Sequence, residues 1–196
     1  MLWNASAIKG YAIEATDGHV GHVNDFLFSD VDWSIQSVVV GAGGWLHAHT
    51  VRLPSAVVGV PDVLRRDVAV RLTRAEVEAY AKPGTEADPL LRGLDDAIGY
   101  AVHAADGDIG YVTDLLVDDE AWGIRYLVID TGHWFSGDKV LLVPSIVRGL
   151  DTEQRLVNVD ITRQQIEASP PYDPTATVDR GYETALHGYY GWSAYF

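Results

Sequence analysis

The chain of 196 residues contains no cysteine. That excludes disulfides, thiolate zinc sites, covalently attached haem, cysteine-ligated clusters and cysteine nucleophiles. It leaves the redox compartment open, because a thiol-free chain folds in either environment. Basic residues are also scarce. Fourteen Lys and Arg stand against 28 Asp and Glu, giving a net charge of −14. Non-specific nucleic-acid binding comes mostly from Lys and Arg neutralising phosphates. No basic run is present, so nucleic acid is not an expected partner. Long apolar runs are missing too. No stretch approaches the roughly 20 apolar residues that span a bilayer, so no membrane span is expected. Met1 to Lys9 has neither a basic start nor an apolar run, so no secretory signal is expected. The expected location is cytoplasmic.

What is present is a repeat. Shifting the sequence by 89 positions lays Gly10-Tyr11-Ala12 on Gly99-Tyr100-Ala101 and Asp17-Gly18 on Asp106-Gly107. Gly21 meets Gly110. Val23, Asp25, Leu27, Trp33 and Ile35 meet Val112, Asp114, Leu116, Trp122 and Ile124, and Trp45 meets Trp134. After one gap, Pro54-Ser55 meets Pro144-Ser145. Two copies are too few for a solenoid, which needs about three units to bury a continuous core. Each copy is therefore expected to be a domain: 1–81 and 93–169, with a Pro- and Gly-containing linker at 82–92 and an aromatic tail at 170–196.

Each copy reads as mostly β. In the first, Tyr11 to Thr16 leads to Asp17-Gly18, a strong hairpin signal because glycine accepts positive φ cheaply. His19 to Phe28 is the partner strand, with Gly21 as a bulge or kink. Ile35 to Val40 is a third strand, and its Val38-Val39-Val40 run points to burial on both faces. Val51 to Leu53, Val57 to Val60 and Asp67 to Leu72 add three more. Five or six short strands at this spacing predict a closed small barrel. A short helix from Arg74 follows. Thr73 with Glu76 is a capping box, and Thr162 with Gln165 matches it in the second copy. The fold class is mainly β: two small barrels, each followed by a short helix, plus the aromatic tail.

The pattern Gly-Tyr, then Asp-Gly-x-x-Gly-x-Val-x-Asp-x-Leu, resembles the PRC-barrel family. It stands as Gly10-Tyr11 with Asp17 to Leu27, and again as Gly99-Tyr100 with Asp106 to Leu116. The resemblance covers about residues 8–80 and 97–168. Trp122 to Thr131, Lys139 to Pro144 and Tyr172-Asp173-Pro174 are similar to a stand-alone bacterial form carrying two such barrels. The family also includes the cytoplasmic domain of the photosynthetic reaction centre H subunit and the C-terminal domain of the ribosome maturation factor. The resemblance implies a strongly bent small barrel used for protein contact, without a shared active site. It carries neither electron transfer nor ribosome assembly to this chain by itself.

Candidate chemistry is sparse. Asp17, Gly18 and Gly21, with Asp106, Gly107 and Gly110, read as structural turn residues. Asp25 and Asp114 are expected to bond a neighbouring turn or close the barrel mouth. His47 and His49 share a strand face and are weak metal candidates, since a site needs further ligands. No metal and no cofactor is expected. Ser55 and Ser145 read as Pro-Ser corners, because no nucleophile elbow surrounds them. Gly41 to Gly44 lacks the Gly-Lys-Ser/Thr ending of a phosphate loop. Trp33 and Trp122 read as structural anchors. The aromatic tail is expected to pack back on the barrels, because a disordered tail would be poor in aromatics, with an interface patch or subunit clasp as the alternative. The expected interaction residues are Trp134, Phe135, Tyr189, Tyr190, Trp192, Tyr195 and Phe196, because Tyr and Trp are enriched at binding hot spots. The expectation is a non-catalytic protein-interaction or scaffolding module with a protein partner, homo-oligomerisation being one open form. A role like that of the reaction centre H subunit, and a ligand binder or enzyme using a crevice between barrels, stand as alternatives.

Overall fold

The computed structural model describes residues 1–42, 50–81, 90–132 and 139–192. In chain order its elements are β1 Leu2–Asn4, α1 Ala5–Ile8, β2 Ala12–Ala15, β3 Gly18–Ser29, β4 Ser34–Ala42, β5 Val51–Pro54, β6 Val58–Asp62, β7 Asp67–Val70 and α2 Arg74–Ala79. Then follow β8 Leu91–Gly93, α3 Leu94–Ala97, β9 Ala101–Ala104, β10 Gly107–Asp118, β11 Ile124–Asp130, β12 Lys139–Leu142, β13 Val147–Asp151, β14 Leu156–Val159, α4 Arg163–Glu167, β15 Pro171–Tyr172 and α5 Arg180–Tyr190. The fold is mainly β, with two sheets. Two compact units form. The first holds Met1, Trp3–Ala97 and Val117–Ile124; the second holds Leu2, Ile98–Leu116 and Arg125–Phe196.

The first sheet runs β5-β4-β3-β2-β7-β6, with β8 also paired to β3. β2 and β7 are parallel, and the other pairs are antiparallel. Asp17-Gly18 makes the β2–β3 turn, with Gly18 at φ +136°. The register between β2 and β3 slips next to Gly21, so a bulge sits there. A Cβ at Gly21 would lie 2.3 Å from the Gly41 carbonyl, so the two strand backbones touch at this point. The bulge bends the long strand β3, which lets its far end pair with β8. Phe26 and Phe28 from β3, with Ile35, Val38 and Val40 from β4, then fill the core.

The expectation of a closed barrel is corrected here. β5 and β6 stand at opposite ends of the pairing path. The chain leaves β5 at Pro54, makes a single 3₁₀ turn at Ser55–Val57 and emerges as β6. Among the described residues no pairing joins β5 to β6 across this corner, so the sheet is not closed.

Residues of the β10–β11 turn count with the first unit. Ile124 N–H donates to the Trp33 carbonyl, and Ile35 N–H donates to the Trp122 carbonyl, both at 2.7 Å. They flank an antiparallel bridge between Ser34 and Gly123. Trp33 and Trp122 both have positive φ, +56° and +52°. That conformation costs a non-glycine residue roughly 1–2 kcal/mol. The two short hydrogen bonds offset it, and the Trp122 ring packs 6.0 Å from Phe26 while Trp33 stacks 5.7 Å from Phe28. Trp3 Nε1 donates to Asp119 at 2.7 Å, and Arg92 Nε donates to Asp30 at 3.1 Å. Trp3 and Arg92 occupy matching repeat positions, as do Asp30 and Asp119.

The second sheet runs β13-β14-β9-β10-β11-β12-β15, with β1 paired to β10. Its first six strands repeat the order of the first sheet. The parallel pair recurs as β14–β9, and the bulge recurs beside Gly110. Two features have no counterpart among the described residues of the first unit. β15 pairs along the outer edge of β12. The helix α5, capped by Asp179 at its start and by Gly191 at its end, packs Leu186 and His187 into the interior.

Candidate interaction surface

In the first unit, the β6–β7 hairpin puts apolar side chains into solvent. Leu64 is 96% exposed, Val60 57% and Val63 49%. The turn beneath them is firmly built. Asp62 Oδ1 accepts from Leu64 N–H at 2.9 Å and from Arg65 N–H at 3.0 Å. Arg66 takes φ +55° and lays its guanidinium 5.1 Å from the Tyr11 ring centre, while its carbonyl accepts from Ala12 N–H. These anchors leave Val63 and Leu64 at the apex. Arg65 extends beside them, mostly exposed, with Nε 3.1 Å from Asp67.

The second unit builds the same turn with other side chains. Asp151 Oδ1 accepts from Gln154 N–H, and Arg155 takes φ +55° over the Tyr100 ring, again at 5.1 Å. At the apex, however, stand Thr152 and Glu153. The apolar tip thus belongs to one copy, although the turn belongs to both. Large apolar groups left in water on one small feature are characteristic of an interaction site. Sequence reading passed this tip over. The signal that would have found it is the pairing of Val63-Leu64 with Thr152-Glu153 across the repeat.

The second unit contains a cavity of about 660 Å³. Ala101, Ile109, Tyr111 and Thr131 contribute to its lining, with Asp106, Asp108, Glu167 and Arg163 around them. Tyr111 is largely exposed. Asp108 Oδ1 lies 2.6 Å from His103 Nδ1. Asp106 Oδ1 accepts from Arg163 N–H at 2.7 Å, so it holds the start of α4 as well as the turn. Asp17 does the same for Arg74 and α2. A Cβ at Gly110, where φ is +90°, would lie 1.9 Å from the Asp130 carbonyl.

Asp25 accepts from the Asp95 N–H at 3.3 Å, at the start of α3. Burial pushes its carboxyl above the usual range, with the Asp95 charge adding to the rise. Asp114 is buried and accepts from Leu115 N–H at 2.8 Å.

The described aromatics of the tail are engaged within the second unit. Tyr126, fully buried, places its hydroxyl 2.9 Å from Glu183 and 2.9 Å from His187 Nε2. Tyr182 donates to the Pro170 carbonyl, and Tyr189 donates to the Gln165 carbonyl. Trp192 stacks on Tyr190 at 3.9 Å. Burial pushes the Tyr190 phenol up to about 12 and raises Tyr182 as well. Of the expected interaction residues, Tyr189 keeps a substantially exposed ring. Trp134, Phe135, Tyr195 and Phe196 lie outside the described residues, as do His47 and His49. Among the described residues, no group of three or more His, Asp or Glu is arranged to hold a metal ion. No helix among them is long and apolar enough to cross a membrane.

The repeated strand order, the doubled bulge and the capped helix after the sixth strand describe one small module. Residues 92–166 match the PRC-barrel domain family. The PRC-barrel match thus begins in β8 and ends in α4. A protein of Deinococcus radiodurans, described as an uncharacterized protein, is 46% identical over 46 residues. That match covers 23% of this chain and 17% of the Deinococcus protein.

Proposed function

We propose that this chain is a non-catalytic protein-interaction module in which both copies are PRC-type barrels, the first presenting a docking tip. The observation that carries the reading is the exposed Val63-Leu64 apex on a turn held rigid by Asp62 and Arg66. A preorganised apolar tip loses little conformational freedom on binding, so more of its burial free energy appears as affinity. The PRC-barrel match at 92–166 supports a general module of that family. The shared strand order supports extending it to residues 1–81. The test is quantitative affinity capture from the native cells, with wild type and the V63T/L64E double variant as baits. The variant gives the first apex the side chains of the second. Proteins captured by wild type and lost from the variant are the expected result. An identical captured set from both baits would overturn the reading.

A further inference from the structure

Building on the interaction reading, we propose that the Val63-Leu64-Arg65 tip of one molecule docks into the cavity of the second unit of another copy of this chain. Two separate observations meet in this pairing. The tip is apolar at its apex and carries an outstretched cation, Arg65. The cavity has apolar side chains from Ala101, Ile109 and Tyr111 and a rim richer in carboxylates than in cations.

Charge complementarity selects a second copy as the partner. The chain has a net charge of −14, so two copies repel unless a local cation meets a local anion. Arg65 supplies the cation. Glu167, on the cavity rim, has no ion-pair partner among the described residues. Asp106 and Asp108 are already engaged by Arg163 and His103. The Arg65–Asp67 contact is a surface pair, and such pairs contribute little, so exchanging it for Glu167 is cheap. At about 660 Å³ the cavity has room for the two apolar side chains together. Tip and cavity are different surfaces, so the contact is heterologous and builds rings or open chains of molecules.

Sedimentation velocity on the full-length chain over a concentration series tests this. Wild type is expected to grow in mass with concentration. Leu64→Asp should raise the apparent dissociation constant about 100-fold or more, by placing a charge where burial is required. Arg65→Glu should weaken association about 10-fold, and the double variant R65E/E167R should recover it. Both tip residues are exposed, and thermal melts of each variant are expected to match wild type. A wild type that stays monomeric up to ~1 mM overturns self-docking. So does an unchanged L64D, and so does R65E/E167R that associates no better than R65E. If wild type is monomeric while V63T/L64E still loses captured proteins from cells, self-docking falls and the interaction reading stands.

Discussion

The two hairpins β6–β7 and β13–β14 share an Asp that accepts backbone N–H groups, an Arg in left-handed conformation, and a ring under that Arg. They differ at the apex, Val63-Leu64 against Thr152-Glu153. The strands β4 and β11 make the same point. Ser37 and Tyr126 occupy matching positions, and only Tyr126 reaches a docked helix, through Glu183 and His187. What both copies keep is needed to bend and cap a small sheet. What they do not share is where the copies have diverged, with an apolar tip in the first unit and a covered edge and helix in the second.

The glycines shared by both copies carry the largest expected effects on stability. Gly110→Ala is expected to lose about 3–5 kcal/mol, combining overpacking with backbone strain, because its Cβ would meet the Asp130 carbonyl at 1.9 Å. Gly21→Ala should be comparably harsh, against the Gly41 carbonyl at 2.3 Å. Gly10→Ala has open space around its Cβ and should cost about 1–2 kcal/mol, for its positive φ alone. Chemical denaturation of the three variants checks the ranking.

A second contrast concerns the paired tryptophans. Trp122 is buried against Phe26, whereas Trp33 is only half-buried. Trp122→Ala should cost about 3 kcal/mol, and Trp33→Ala clearly less. Equal losses in thermal melts would show that the turn backbone, not the ring packing, sets the cost.

Tail docking gives a smaller effect. Tyr126→Phe removes the hydroxyl between Glu183 and His187 and should cost about 1–3 kcal/mol through the two hydrogen bonds it loses. Ser37→Ala at the matching site should change stability little. The Tyr190 phenol provides a second handle. In an absorbance titration it should ionise near 12, because burial opposes the phenolate. Since its folded pKa is raised, the stability it contributes is present below 10 and is lost as pH climbs through about 12.

Much of this frame was legible in the sequence. The repeat, the Asp-Gly turn and the Thr-x-x-Glu/Gln box act through backbone rules that work locally, so Thr73 and Thr162 are capped as their spacing demanded. The open sheet was not legible. Closure depends on whether the strands at the two ends of the path, β5 and β6, pair with each other, and strand count alone does not say whether they do. The apolar tip was missed for a different reason. Aromatic residues stand out in the tail, where Tyr182, Tyr189 and Tyr190 direct their hydroxyls to backbone carbonyls of their own unit, whereas nothing in composition marks Val63-Leu64. Exposure is a property of three-dimensional placement, and Leu64 looks like any strand leucine until the hairpin turns it outward.

The smallest effect concerns Asp25. Burial raises its carboxyl above 3.8, so its charged form destabilises the fold at neutral pH. That penalty disappears as pH falls through the raised value toward 3.8. Asp25→Asn keeps an oxygen for the Asp95 N–H. It should melt no lower than wild type at pH 7, with any advantage shrinking in acid.

The two faces of the docking contact can be located directly by following backbone amide NMR shifts as a concentrated sample is diluted. Self-docking predicts that the moving signals gather at residues 60–66 and around Asp108, Tyr111 and Glu167. Shifts confined to Tyr189, Tyr190 and Trp192, with the β6–β7 hairpin unmoved, would contradict it.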